Sequence, residues 1–171
     1  MGRRWRLALA AVLATLLLGC RLPTAAETAA PPAGAVEARV VRVVDGDTII
    51  VAIGGRQQRV RYIGVNAPES VDPRREVQCF GREAAARNAQ LVDGQRVWLE
   101  KDVSETDPYG RLLRYVYVNG TMVNAELVRE GYARAVTFPP DVRYAEELRR
   151  LEREAREARR GLWGTCPPPG R

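Results

Sequence analysis

The chain has 171 residues, 46% apolar and 28% charged, which suits one globular domain with tails. Its formal charge is +6 and it contains no histidine. That absence excludes a histidine general base and leaves three cysteines as the only soft ligands for zinc, so hydrolytic chemistry has to run on carboxylates, arginine, tyrosine, backbone and a hard metal ion.

Residues 1–19 read as a signal peptide: a basic start, MGRRWR, then an apolar stretch, LALAAVLATLLL, too short for a membrane span of ~20 residues. The stretch ends in Leu17-Leu18-Gly19-Cys20, which resembles the lipobox of bacterial lipoproteins. The resemblance implies that Cys20 is lipidated and becomes the first residue of the mature chain. The alternative is ordinary secretion, with cleavage after Thr24-Ala25-Ala26. Loss of residues 1–19 removes Arg3, Arg4 and Arg6 and no acid, so the charge falls from +6 to +3. A polyanion partner then fits the charge but is not demanded by it. Residues 20–35 are rich in Ala and Pro and read as a tether.

A folded domain is expected over 36–165, with a short tail at 166–171. Glu37–Val44 and Thr48–Ile53 read as strands joined by the turn Val44-Asp45-Gly46-Asp47-Thr48. Gly46 is expected there to supply a positive φ. Gly54-Gly55 marks a second turn, and Gln57–Val65 reads as a third strand. Gly81–Val92 is helical by composition, with Gly94 as its stop. Arg96–Lys101 and Arg111–Val118 are two further strands around the charged loop DVSETDPYG. Met122–Arg129 reads as a short helix ended by Gly131. Asp141–Arg160 reads as a long one, with Tyr144, Leu148, Leu151 and Ala155 on its packed face. Its Glu/Arg run is the solvated face, not a nucleic-acid patch. Five short strands interleaved with helices are compatible with an OB-type barrel. Cys79 and Cys166 form an even pair that an oxidising compartment favours bridging.

Three segments carry the chemistry: Asp45-Gly46-Asp47-Thr48; Arg61-Tyr62-Ile63-Gly64-Val65-Asn66-Ala67-Pro68-Glu69; and Asp107-Pro108-Tyr109-Gly110-Arg111. Singly, each has a plain account as a turn, a strand exit or a hairpin entry. In this order they resemble the thermonuclease family, the staphylococcal nuclease-like domains. The resemblance runs from about Arg39 to Trp163 and takes in Met122–Gly131 and Gly161-Leu162-Trp163.

The resemblance implies an α+β fold, a five-stranded OB-fold β-barrel with three α-helices. It also implies a Ca2+-dependent phosphodiesterase acting on DNA and RNA. Asp47 then matches a carboxylate ligand of the ion, Asn66 the position of a second ligand, and Ala67 a ligand through its carbonyl. Arg61 and Arg111 match the pair that holds the reacting phosphate. Glu69 matches the general base, and Tyr109 a tyrosine on substrate phosphate. A further substrate tyrosine of the family falls at Thr137. Asn66 replaces an aspartate of the family pattern, which removes one negative charge from the ion's surroundings.

The residue types suit the reaction. A hard cation offsets the charge of a phosphodiester, and arginine forks stabilise the charge that grows in the transition state. A carboxylate beside a water can take its proton. The expectation is therefore a monomeric extracytoplasmic nuclease, acting on DNA and/or RNA and held to a membrane through Cys20. The alternative is a non-catalytic OB module that binds nucleic acid or another polyanion at the cell surface. Arg61, Glu69 and Arg111 together favour the enzyme, since a pure binder has no use for a carboxylate beside a phosphate.

Overall fold

A computed structural model describes residues 30–70 and 77–167. The signal segment, Cys20, most of the 20–35 tether and the end of the 166–171 tail lie outside the described residues. The elements, in chain order, are β1 (Val36–Val43), β2 (Thr48–Ile53), β3 (Arg56–Tyr62), β4 (Val65–Asn66), α1 (Gly81–Val92), β5 (Arg96–Glu100), β6 (Leu112–Val118), β7 (Thr121–Met122), α2 (Val123–Arg129), β8 (Arg134–Ala135), α3 (Ala145–Glu157) and the single turn α4 (Leu162–Thr165).

The main sheet runs β3-β2-β1-β5-β6-β7, and β3 also pairs with β6 in parallel. That extra pairing, Val60 with Leu112 and Arg61 with Leu113, closes five strands into a barrel. Alternate residues of a strand face opposite sides. Val40, Ile49, Val51, Val60, Tyr62, Val97, Leu99 and Val116 accordingly fill the interior. The fold is the expected α+β OB-type barrel with three helices, α1 to α3.

The helices close the barrel and anchor the site-bearing strand. Leu148 and Leu151 of α3 join the core cluster with Leu127 and Val128 of α2. Each such buried side chain contributes about 2 kcal/mol. The buried Asn124 of α2 donates to the Ile63 carbonyl at 2.8 Å and accepts from the Val116 N–H at 2.9 Å. It thereby fixes the end of β3 to β6, two residues beyond Arg61.

Three local expectations need correction. The third strand does not run through to Val65. It stops at Tyr62 because Gly64 takes φ +77°, and a Cβ there would stand 2.4 Å from Leu148 Cδ1. The chain turns and pairs Val65 and Asn66 with Ala135 and Arg134. The long helix starts only at Ala145. Asp141 instead spends its carboxylate on the Val103 and Ser104 N–H groups, at 3.0 and 2.8 Å. Gly46 is not in the left-handed region. It is required by space, since a Cβ there would meet Ala67 Cβ at 2.5 Å and Ala84 Cβ at 2.9 Å.

Candidate active site

The Asp45–Thr48 turn is held by its own side chains. Asp45 Oδ1 accepts the Asp47 N–H at 3.0 Å. The Asn88 amide of α1 donates to the Asp45 carbonyl at 2.8 Å and accepts the buried Tyr62 hydroxyl at 2.9 Å. The turn thus fixes Asp47 against the segment that follows β3. Asp47 is 6% exposed. Its Oδ2 accepts the Ala67 N–H at 2.7 Å and lies 3.1 Å from Arg61 Nη2. Its Oδ1 accepts the Thr48 hydroxyl at 3.2 Å.

Burial pushes the Asp47 carboxyl from its ordinary 3.8 up to about 6, and the neighbouring charge of Asp45 adds to the rise. The Arg61 guanidinium and the Ala67 N–H pull it part of the way back. A carboxylate whose burial outweighs the compensation from Arg61, Ala67 and Thr48 suits a site that receives a cation.

Arg61 is the hub. Its Nη1 donates to the Tyr62 and Val65 carbonyls, both at 2.8 Å. Its Nη2 donates to Asn66 Oδ1 at 3.1 Å, while facing Asp47. These bonds exist because the chain bends at Gly64 and brings Val65 and Asn66 back over the end of β3. Arg61, Asn66, Tyr109 and Arg111 line one cleft of about 500 Å³, together with Phe138 and Pro139.

Arg111 is set by Asp107. The carboxylate accepts the Arg111 Nε at 2.6 Å and its N–H at 3.0 Å. Burial works against ionisation of Asp107, yet these bonds, with the Tyr109 N–H, hold its carboxyl below the usual range. The Tyr109 ring is 86% exposed and stands 5.7 Å from the Arg111 guanidinium.

Glu69 lies outside the lining of that cleft. Its segment is clasped: the Glu69 N–H donates to Gln78 Oε1 at 3.0 Å, and the Glu69 carbonyl accepts the Gln78 N–H at 2.9 Å. Its Oε1 accepts the Ser70 N–H at 2.9 Å. Gly81 permits the approach, since a Cβ there would stand 2.5 Å from the Glu69 carbonyl oxygen. Cys79, next to Gln78, is bonded to Cys166 across 87 residues of sequence. The position of the family's second tyrosine, Thr137, accepts a hydrogen bond from Arg149 at 2.8 Å and offers no ring.

The structure therefore brings Asp47, Arg61, Asn66 and Ala67 into direct contact, and Tyr109 and Arg111 line the same cleft as Arg61 and Asn66. Asp45 and Asp107 hold groups of this set, and Gln78 holds the Glu69 backbone; the sequence assigns none of the three a role. Asp107 and Asp45 stand inside the quoted motifs, whereas nothing in the pattern marks Gln78.

Residues 59–165 match the sequence profile of the family described as Staphylococcal nuclease homologue. The chain belongs to that family. It is 42% identical over 125 residues to the thermonuclease of Staphylococcus hyicus, covering 73% of this chain and 74% of that one. It is 41% identical over 124 residues to the thermonuclease of Staphylococcus intermedius, covering 72% and 74%. The endonuclease YncB of Bacillus subtilis is 41% identical over 124 residues, or 71% of this chain and 59% of that protein. The chain is a hydrolase of the nuclease type.

The oxygen donors at the site suit a hard cation. Among the described residues, no three Asp, Glu, Cys or His side chains converge to hold a metal. Around Arg61 Nη2 the described residues place two oxygen donors, the buried Asp47 carboxylate and the Asn66 amide oxygen.

Proposed function

We propose that the chain is an extracytoplasmic calcium-dependent nuclease that hydrolyses phosphodiester bonds of DNA, RNA or both. The observation that carries the reading is Arg61. Its Nη2 lies 3.1 Å from both Asp47 Oδ2 and Asn66 Oδ1, in a cleft it shares with Arg111. An amide oxygen and two guanidinium groups lining one cleft, with the buried Asp47 carboxylate directly behind Arg61, can receive a cation and a phosphate together.

Asp47, Asn66 and the Ala67 carbonyl would hold the ion. When bound, the ion neutralises the phosphodiester and polarises its phosphoryl oxygen. Arg61 and Arg111 bind the non-bridging oxygens and follow the charge that builds on them. Tyr109 donates to substrate phosphate at the rim. Glu69 takes a proton from water as the water oxygen bonds to phosphorus. The ester P–O bond breaks, and the leaving oxygen takes its proton from solvent.

The location follows from the N-terminal segment: anchored to a membrane through lipidated Cys20, or else secreted. The protein acts as a monomer. The test of activity is digestion of denatured DNA and of RNA with calcium or with chelator. Cleavage that chelator leaves untouched rejects the calcium reading. Fatty-acid labelling that persists in Cys20→Ser rejects the anchor.

A further inference from the structure

The buried residues of β1, β2 and β3 point into the barrel, so their neighbours in sequence form its outer face. On that face the ladder aligns Arg42 with Ile50 and Ile50 with Arg59. Arg111 precedes Leu112, the partner of Val60, and so stands level with Arg59 on the other side of β3. One row across four strands therefore reads Arg111, Arg59, Ile50, Arg42. At ~4.8 Å per strand it spans ~14 Å, the length of a few nucleotides. Arg61 lies two residues beyond Arg59 on the same side of β3, and Arg39 lies on β1 beyond Arg42.

Arg39, Arg42 and Arg59 are exposed, and among the described residues they make no ion pair. The one acid of β1 on this face, Glu37, is paired with Arg96 at 3.2 Å. Arg39 stands directly opposite Arg96 in the ladder. Like charges in that position repel and cost stability. An anion laid across the face would relieve the repulsion. These positions lie outside the residues assigned above to the scissile phosphate.

We propose that this face is a docking track for the backbone of a single-stranded polynucleotide. It receives the strand as it leaves the Arg61–Arg111 cleft and passes it over Arg59 and Arg42 toward Arg39. The inference rests on the nuclease reading for the direction of the strand. Continuity with the cleft selects a nucleic acid over a membrane, because a membrane lying on this face would cover the cleft mouth.

The test uses the full chain, and the variant Arg39→Gln/Arg42→Gln/Arg59→Gln. Binding to a labelled single strand of about 20 nucleotides is measured in chelator across salt concentrations. Three lost contacts on a single strand should make the salt slope shallower by about 2, so the loss of affinity between about 50 and 200 mM salt shrinks ~20-fold. With calcium, kcat/KM on a nitrophenyl ester of a thymidine phosphate should not change, since that substrate reaches only the cleft. Arg59→Gln alone should lower the slope by about 0.7, which covers a triple variant that fails to fold.

Unchanged affinity and slope overturn the proposal. So does an equal fall in kcat/KM on the small ester. Loss of binding to anionic phospholipid vesicles with oligonucleotide binding intact also overturns it, in favour of a membrane face. If slopes change as expected but neither protein cleaves with calcium, the track stands and the nuclease reading of the site fails.

Discussion

Replacing Asp47 with Asn removes a charge that the fold tolerates poorly without a cation. The carboxyl rises from 3.8 to about 6 on folding, and that difference is worth about 3 kcal/mol between its neutral and ionised forms. The pKa is higher in the folded state, so the group's contribution to stability is complete below about pH 4. It is lost as the pH rises through about 6. Asn imitates the neutral carboxyl and does not titrate. In chelator, the stability of Asp47→Asn relative to wild type should therefore grow by about 3 kcal/mol between about pH 4 and pH 8. Calcium should close most of that gap at the upper pH: an ion at 100 times its Kd adds about 2.7 kcal/mol to the wild type and little to the variant. The assay is urea unfolding of both proteins across that pH range, with chelator and with calcium. A difference that stays flat with pH in chelator refutes the burial argument. Equal gains from calcium in both proteins remove Asp47 from the ion site.

Glu69→Gln should lower turnover by at least ~100-fold if Glu69 is the base, and single-turnover digestion of denatured DNA measures it. Near-normal cleavage would reject the role. Arg61→Lys and Arg111→Lys should each cut kcat/KM strongly. An ammonium cannot serve two carbonyls, Asn66 and Asp47 as Arg61 does, nor keep the fork that Asp107 orients in Arg111. Retained activity in both would show that the phosphate is held elsewhere. Removing the Cys79–Cys166 bridge, by Cys79→Ser with Cys166→Ser, should cost roughly 4–5 kcal/mol on the chain-entropy argument for its 87-residue separation; unaltered urea unfolding would contradict this. Asn66→Asp should raise calcium affinity by ~10-fold, or about 1.4 kcal/mol, read by calorimetry. No change in affinity would remove Asn66 from the ion's surroundings.

The parts of the fold governed by local pattern were legible. β2 and α1 fall on Thr48–Ile53 and Gly81–Val92, as their β-branched run and alanine-rich composition require. What was not legible depends on residues far apart in sequence. The β4–β8 pair needs only Val65 and Asn66 against Arg134 and Ala135, too short for any periodicity. Asp141 looks like the start of a helix until the loop carrying Val103 and Ser104 arrives to take its oxygens. Gly46 looks like a residue chosen for φ, and its real constraint comes from Ala67 and Ala84. The candidate site divides the same way. Its reactive groups stand in three short motifs, but Gln78 has no meaning until the chain folds back on Glu69.

Asn66 shows how the site balances its charge. Without a cation, Arg61 is the positive group beside Asp47, and it reaches Asn66 with the same Nη2. A second carboxylate at position 66 would hold that nitrogen more tightly, since charged acceptors bind guanidinium about twice as strongly as neutral ones. An incoming phosphate has to compete for the same nitrogen. On the proposed mechanism an amide at 66 weakens the ion's hold but leaves Arg61 easier to turn toward substrate. On the proposed mechanism the arriving cation takes over the charge of Asp47, which loosens the other half of Arg61's attachment. Ion and phosphate binding then support each other through one side chain. Arg111 needs no such release, because its anchor is Asp107 and not the ion site. On that proposal the two arginines divide the work: Arg111 is preset for phosphate, and Arg61 becomes available to it when the ion is in place.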